Sequence, residues 1–193
     1  MENLKRALSF GGILGEGDIE EITADFTVHH LKPGQHFITP GEVSGQLAFV
    51  DEGVFRIYVT NDEQEEATRY FMRKNQFMMD IDCFYNHRPA ESGVQAVTEA
   101  RLLITQRDEW LRSSERIPKL FILTKTLTEM ALINKIKDND FLHFGTAKQR
   151  YLEFMKRYPD LALSVPQQYI ASYLQITPQS LSRIRREAVN HHP

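Results

Sequence analysis

Cysteine is almost missing from this chain: Cys83 is the single one in 193 residues. An internal disulfide therefore cannot form, and a cysteine-ligated zinc or iron–sulfur site lacks its ligands. That composition fits a reducing cytoplasm. Long hydrophobic runs are missing too, because charge interrupts every apolar stretch far short of the roughly 20 residues a membrane helix needs. The opening Ala7-Leu8-Ser9-Phe10-Gly11-Gly12-Ile13-Leu14-Gly15 is too short and glycine-rich for a secretory signal. A soluble, cytoplasmic protein is expected, with no membrane partner. The ten glycines are spread among turns, and no Walker loop, dinucleotide fingerprint, nucleophile motif or carboxylate pair stands out. No enzyme is expected. The tandem histidines His29-His30 and His191-His192 lack acidic or cysteine neighbours at ligand spacing, and adjacent residues of a strand point to opposite faces. No metal site is expected, and Cys83, with only His87 and Arg88 as basic neighbours, is not read as a redox sensor.

What is present is unevenly charged. The net charge is −3, but from Ala147 onward Lys148, Arg150, Lys156, Arg157, Arg183, Arg185 and Arg186 stand against only Glu153, Asp160 and Glu187. An acidic body with a basic tail suggests that only the tail meets a polyanion, although clustering on a solvated helix face is the plainer alternative.

Residues 27–106 read as short strands between turn signals, the pattern of an all-β sandwich or barrel. Val54–Thr60 and Ala67–Met72 form a hairpin, and Gly93–Gln106 is the last long strand candidate. From Asp108 to about Lys137 the pattern is helical. Leu120, Leu123, Leu127, Met130 and Asn134 fall at heptad-like spacing, with Ile117, Phe121, Thr124, Thr128 and Ala131 as a second stripe. Such a helix can bury one stripe on its own domain and offer the other to a partner; one wide core-facing stripe in a monomer is the alternative. The expected pairing seam is the Leu120-to-Asn134 stripe. Asp138–Gly145 reads as a hinge. Thr146–Gln149 is a capping box for a helix stopped by Pro159, and Ser164–Gln167 is a second box.

The most specific segment runs from Val165 to Glu187. Ile170, Ala171 and Leu174 make the apolar edge of a short helix, and Thr177 with Pro178 caps and opens a second that buries Leu181 and Ile184. Two short helices joined by a tight turn form a helix-turn-helix. The second helix exposes Gln179, Ser180, Ser182, Arg183 and Arg186. Gln suits adenine and Arg suits guanine in the major groove, while Arg185, Arg186, Lys148 and Arg150 suit phosphates. A helical protein-interaction module with a polar face is the other reading of the same pattern.

From Thr27 to Glu187 the chain resembles the Crp/Fnr regulators, most specifically over the Ile170–Ile184 stretch. The resemblance implies an α+β fold: an N-terminal β-roll of double-stranded β-helix or jelly-roll type over residues 1–108, a long dimerisation helix over 109–140, and a helix-turn-helix domain over 141–193. It implies a homodimer reading a palindromic site in double-stranded DNA, RNA polymerase as a further partner, and a small-molecule effector in the roll. The DNA contacts would be Gln175, Thr177, Gln179, Ser180, Ser182, Arg183, Arg185 and Arg186, with Arg183 at the family's base-reading position. The effector pocket would be Met79, Asp80, Arg88, Ala90, Glu91 and Ser92.

The chain departs from the family in two places. In cyclic-nucleotide binders a glutamate holds the ribose and a later arginine grips the cyclic phosphate; here Asp80 and Ala90 fall at those positions, among Asp82 and Glu91. Losing the charged partner of a buried phosphate costs about 1.5–3 kcal/mol. The expectation is a degenerate pocket with an unknown effector or none, and no cofactor. Only Ala188–Pro193 follow the second helix, so the β-wing is expected to be absent or truncated. The competing function is a cyclic-nucleotide-binding signalling module whose C-terminal helices contact protein.

Overall fold

The computed structural model describes residues 1–189. Two N-terminal helices, α1 (Glu2–Leu8) and α2 (Glu16–Ala24), precede strands β1 (Thr27–Leu31), β2 (His36–Ile38), β3 (Gln46–Glu52), β4 (Phe55–Thr60), β5 (Glu66–Met72) and β6 (Phe77–Met78). A short helix α3 (Ile81–Asn86) then separates β6 from β7 (Gly93–Ala96) and β8 (Ala100–Gln106). The strands form two four-stranded antiparallel sheets, ordered β1-β8-β3-β6 and β2-β7-β4-β5. Together they make the expected roll.

Side-chain alternation explains why β3 and β8 are buried on both faces. Ala48 and Val50 of β3, with Leu102 and Ile104 of β8, point into the roll against Ile38, Phe55 and Val94. Leu47, Phe49 and Leu103 point outward and are covered by Leu4, Leu8, Ile22, Trp110 and Leu120 from the helices. The expected Val54–Met72 hairpin is β4 paired with β5. The expected single strand Gly93–Gln106 is instead two strands in different sheets. The chain crosses between them at Val97–Glu99, where Val97 N–H donates to the Val54 carbonyl at 2.8 Å. Gly93 is required at the start of β7, since a Cβ there would lie 2.3 Å from the Tyr58 ring, whose hydroxyl bonds His36 Nε2 at 2.9 Å.

The central helix is also divided. α4 (Arg107–Arg116) and α5 (Lys119–His143) meet at Ile117-Pro118, where Ile117 leaves helical geometry at φ −120, ψ 82. Proline disfavours helical geometry in the residue before it and cannot supply a helical N–H. α5 continues through most of the expected hinge and ends at Phe144-Gly145, the glycine taking φ +89.

The C-terminal helices are α6 (Ala147–Arg157), α7 (Pro159–Ser164), α8 (Gln167–Tyr173) and α9 (Pro178–Val189). The Thr146–Gln149 capping box is present, with Thr146 N–H donating to Gln149 Oε1 at 2.7 Å and Gln149 N–H to Thr146 Oγ1 at 3.3 Å. Pro159 both stops α6 and opens α7 as its first residue. The second expected box does not form, because Ser164 is the last residue of α7 and donates its hydroxyl to the Asp160 carbonyl at 2.8 Å. These helices share a third core, built on Phe154, Leu161, Ala171, Leu174, Leu181 and Ile184, which also takes in Phe71 and Val97 from the roll.

Candidate nucleic-acid interface

α8 and α9 are joined by a tight turn at Leu174–Thr177. Gln175 there takes φ +55, and its N–H donates to the Ser172 carbonyl at 3.0 Å. Thr177 caps α9 as the sequence implies: its Oγ1 accepts from Ser180 N–H at 3.1 Å, and the Ser180 hydroxyl lies 3.0 Å away. Ala171, Leu174 and Leu181 are fully buried between the two helices, so small Ala171 marks their crossing. On the opposite side of α9, Gln179, Ser182, Arg183 and Arg186 are exposed and share one helical face. Gln175 and Thr177 are exposed beside it, while Ser180 and Arg185 are half-buried toward the core. The geometry brings together two guanidinium groups, one carboxamide and one hydroxyl on a rigid, free helix surface. Hydrogen-bonding groups of that kind can address base edges and phosphates.

Arg150 is not free for this role. Its Nη1 donates to the Leu142 carbonyl at 3.2 Å, satisfying the C-terminal end of α5. Lys148 is half-buried on α6. The pair His191-His192 lies outside the described residues, as do residues 190–193 of the segment on which the missing wing was read; its first two residues, Ala188 and Val189, end α9.

The expected pairing seam is corrected at three of its five residues. Leu120 and Leu123 are buried in the core beneath the roll and Leu127 packs against it, so these three serve their own chain. Met130 and Asn134 are exposed. The free apolar face of α5 is a different one, comprising Phe121, Ile122, Leu132, Ile133 and Ile136, each more than half exposed. Along residues 128–137 every side chain of the helix is exposed. This is an exposed apolar face on an otherwise uncovered stretch of helix.

The expected effector positions do not converge on a phosphate-binding site. Asp80 is spent as the N-cap of α3, its Oδ1 accepting from Cys83 N–H at 3.0 Å. Ala90 is buried and tied by backbone hydrogen bonds to Glu42 and Gly41 at 2.8 Å each, whereas Arg88 and Glu91 are exposed and Met79 and Ser92 half-buried. The roll interior beside Ala90 is apolar, filled by Ile38, Phe55, Ile57, Met78, Cys83 and Val94. Of the expected positions only Arg88 carries a cation, and it is exposed to solvent and not turned into that interior. Burial pushes the Cys83 thiol up, and its Sγ lies 3.7 Å from the Glu42 carbonyl.

Several polar residues between the roll and the C-terminal helices went unread in the sequence. Arg56 is buried on β4, its Nε donating to Gln95 Oε1 at 2.8 Å and its Nη2 paired with Glu66. Thr68 N–H donates to Ser172 Oγ at 2.8 Å, and Arg73 pairs with Asp160 at 3.3 Å. The one signal available was a lone arginine inside the apolar run Val54-Phe55-Arg56-Ile57-Tyr58-Val59.

Residues 28–116 match the family model of the cyclic nucleotide-binding domain. Among solved structures, the chain is similar to the c-di-GMP-responsive global regulator CLP of Xanthomonas campestris at a TM-score of 0.74 and 14% identity, over 91% of this chain and 92% of that one. The chain has the Crp/Fnr fold. Two other Crp/Fnr structures bear this out. FixK2 of Bradyrhizobium japonicum gives a TM-score of 0.69 at 15% identity over 86% of this chain and 85% of its own. The Thermus thermophilus catabolite activator protein gives 0.58 at 17% over 95% and 87%. No curated protein matches the chain in sequence. Among the described residues, no helix is long and apolar enough to cross a membrane, and no group of three His, Cys, Asp or Glu side chains could hold a metal ion.

Proposed function

We propose that this protein is a homodimeric transcription regulator that binds double-stranded DNA through α9. Two copies pair along the Phe121, Ile122, Leu132, Ile133 and Ile136 face of α5 and present their α9 helices to successive major grooves of a palindromic site, roughly 34 Å apart. The observation that carries the reading is the free polar face of α9: Gln179, Ser182, Arg183 and Arg186 are exposed while Leu181 and Ile184 fix the helix from behind. Arg183 reads guanine and Gln179 reads adenine. Arg185 and Arg186 neutralise phosphates, and Gln175, Thr177 and Ser180 sit at the helix entry against the backbone. The Crp/Fnr fold supports the reading, as does the surplus of basic residues after Ala147. The protein acts in the cytoplasm with RNA polymerase as a further partner, and not as an enzyme. The roll works without a cyclic nucleotide, because the Asp80 carboxylate caps α3 at the position that would hold a ribose and Ala90 offers no cation to a phosphate.

A gel-shift titration on genomic fragments across a range of salt concentrations tests this. Binding should weaken steeply with salt, and Arg183→Ala should cost about 1–3 kcal/mol per half-site, roughly 5- to 150-fold. Salt-insensitive or absent binding would point to a tail that contacts protein.

A further inference from the structure

Strand β5 is the edge of its sheet, in the order β2-β7-β4-β5. Edge strands expose unpaired backbone donors that must be covered or blunted. Here the cover is α8. Thr68 N–H, facing away from β4, donates to the Ser172 hydroxyl of α8 at 2.8 Å. Next to it the β4–β5 register slips between Ile57 and Tyr58, leaving Arg69 as the extra residue of a β-bulge. Phe71 then packs its ring 5.4 Å from that of Tyr173, the last residue of α8.

Arg56 holds the same junction from beneath. Its guanidinium is 3% exposed and lies 4.5 Å from the centre of the Tyr58 ring and 4.0 Å from that of Tyr169. Tyr58 belongs to the roll and Tyr169 to α8, so one buried cation is sandwiched between the two units. Gln95 and Glu66, both on the roll, take its N–H groups and fix the guanidinium plane independently of α8. A desolvated cation–π contact of this kind is among the stronger polar interactions across a junction. At the far end of β5, Lys135 of α5 sits 4.1 Å from the Tyr70 ring centre, and Arg73 pairs with Asp160 of α7.

We propose that Arg56 and strand β5 form a built-in latch that seats α8 on the roll, so that the bearing of α9 relative to the roll is set by this clasp. The Arg56–Tyr169 stack and the Thr68–Ser172 hydrogen bond open together, as one unit, when the C-terminal helices leave the roll. The consequence for DNA rests on the function proposed above: an open latch lets α9 sample many orientations and lowers affinity, although neither Tyr169 nor Thr68 need touch DNA.

Hydrogen exchange of the Thr68 amide in the full chain without DNA tests the latch by itself. In the wild type this edge-strand amide should be protected. Tyr169→Leu, which leaves the Thr68–Ser172 pair untouched in composition, should speed its exchange on the order of tenfold while Leu102 and Leu103 in the centre of the other sheet stay unchanged. Tyr169→Phe keeps the ring and should restore wild-type exchange, which separates the latch from a general loosening of the fold. Unchanged Thr68 protection in Tyr169→Leu, or faster exchange in Tyr169→Phe as well, overturns the proposal. The exchange readout stands whether or not the protein binds DNA, so failure of the latch and failure of the DNA-binding reading give different results.

Discussion

Replacing Leu132 by aspartate should separate the proposed dimer without unfolding the monomer. Leu132 is 57% exposed on α5, among Phe121, Ile122, Ile133 and Ile136 at 69%, 53%, 51% and 54%. Full burial of such a side chain is worth about 1.5–3 kcal/mol, so covering the exposed part of each yields about 1 kcal/mol. The five from each copy give about 10 kcal/mol in total, against association costs of about 4–15 kcal/mol. The pairing is therefore sensitive to a single change. The Leu132→Asp chain loses about 1 kcal/mol per copy and sets two carboxylates facing each other on a desolvated seam, a further cost of several kcal/mol. The dimer dissociation constant should rise about a thousandfold or more. Sedimentation velocity over a concentration series reads this directly, with far-UV circular dichroism confirming intact helices. An unchanged dissociation constant in the folded variant would refute this choice of pairing face. A parallel experiment with Met130→Asp, off that face, should show a much smaller effect.

Two further predictions concern the C-terminal helices. Leu181→Ala should lower the unfolding free energy by about 2–5 kcal/mol, since Leu181 is fully buried between α8 and α9, whereas exposed Ser182→Ala should stay within about 0.5 kcal/mol; urea melts compare the two. Burial, joined by the nearby Asp138 carboxylate, lifts the Tyr158 and Tyr173 phenols above their usual value of about 10. The fold favours the neutral phenols, so their contribution is complete below pH of about 10 and is lost as pH rises toward the raised values. Urea midpoints should therefore fall in strongly alkaline buffer, and fall less in Tyr173→Phe.

What could be read from the sequence was what is encoded locally. Thr177 and Pro178 start α9 by chemistry confined to a few residues, and Leu181 and Ile184 declare the buried face at once. The strand run Val54–Thr60 was equally plain, because β-branched and aromatic residues between turn signals leave few alternatives. The α5 stripes were visible as periodicity, but periodicity does not say which face meets the chain's own roll; Leu120 and Leu123 went inward because α1, α2 and α4 build a core there. Pro118 marks the α4–α5 break, which a reading of one helix from Asp108 to about Lys137 passes over by counting Ile117 into the second stripe across the proline. The clasp between Thr68 and Ser172 joins residues 104 positions apart, and no local pattern specifies such a pair. Asp80 was placed by resemblance at a ligand position, which passed over a side-chain cap of α3 as local as that of Thr177 on α9.

The most direct test is selection of genomic DNA fragments by the purified full-length protein, with and without cyclic AMP and cyclic GMP. Recovery of one inverted-repeat motif with half-sites about one helical turn apart, enriched equally in all conditions and lost in Arg183→Ala, is the predicted result. No enrichment in any condition would contradict DNA reading by α9, and enrichment only with a cyclic nucleotide would contradict a roll that works without one.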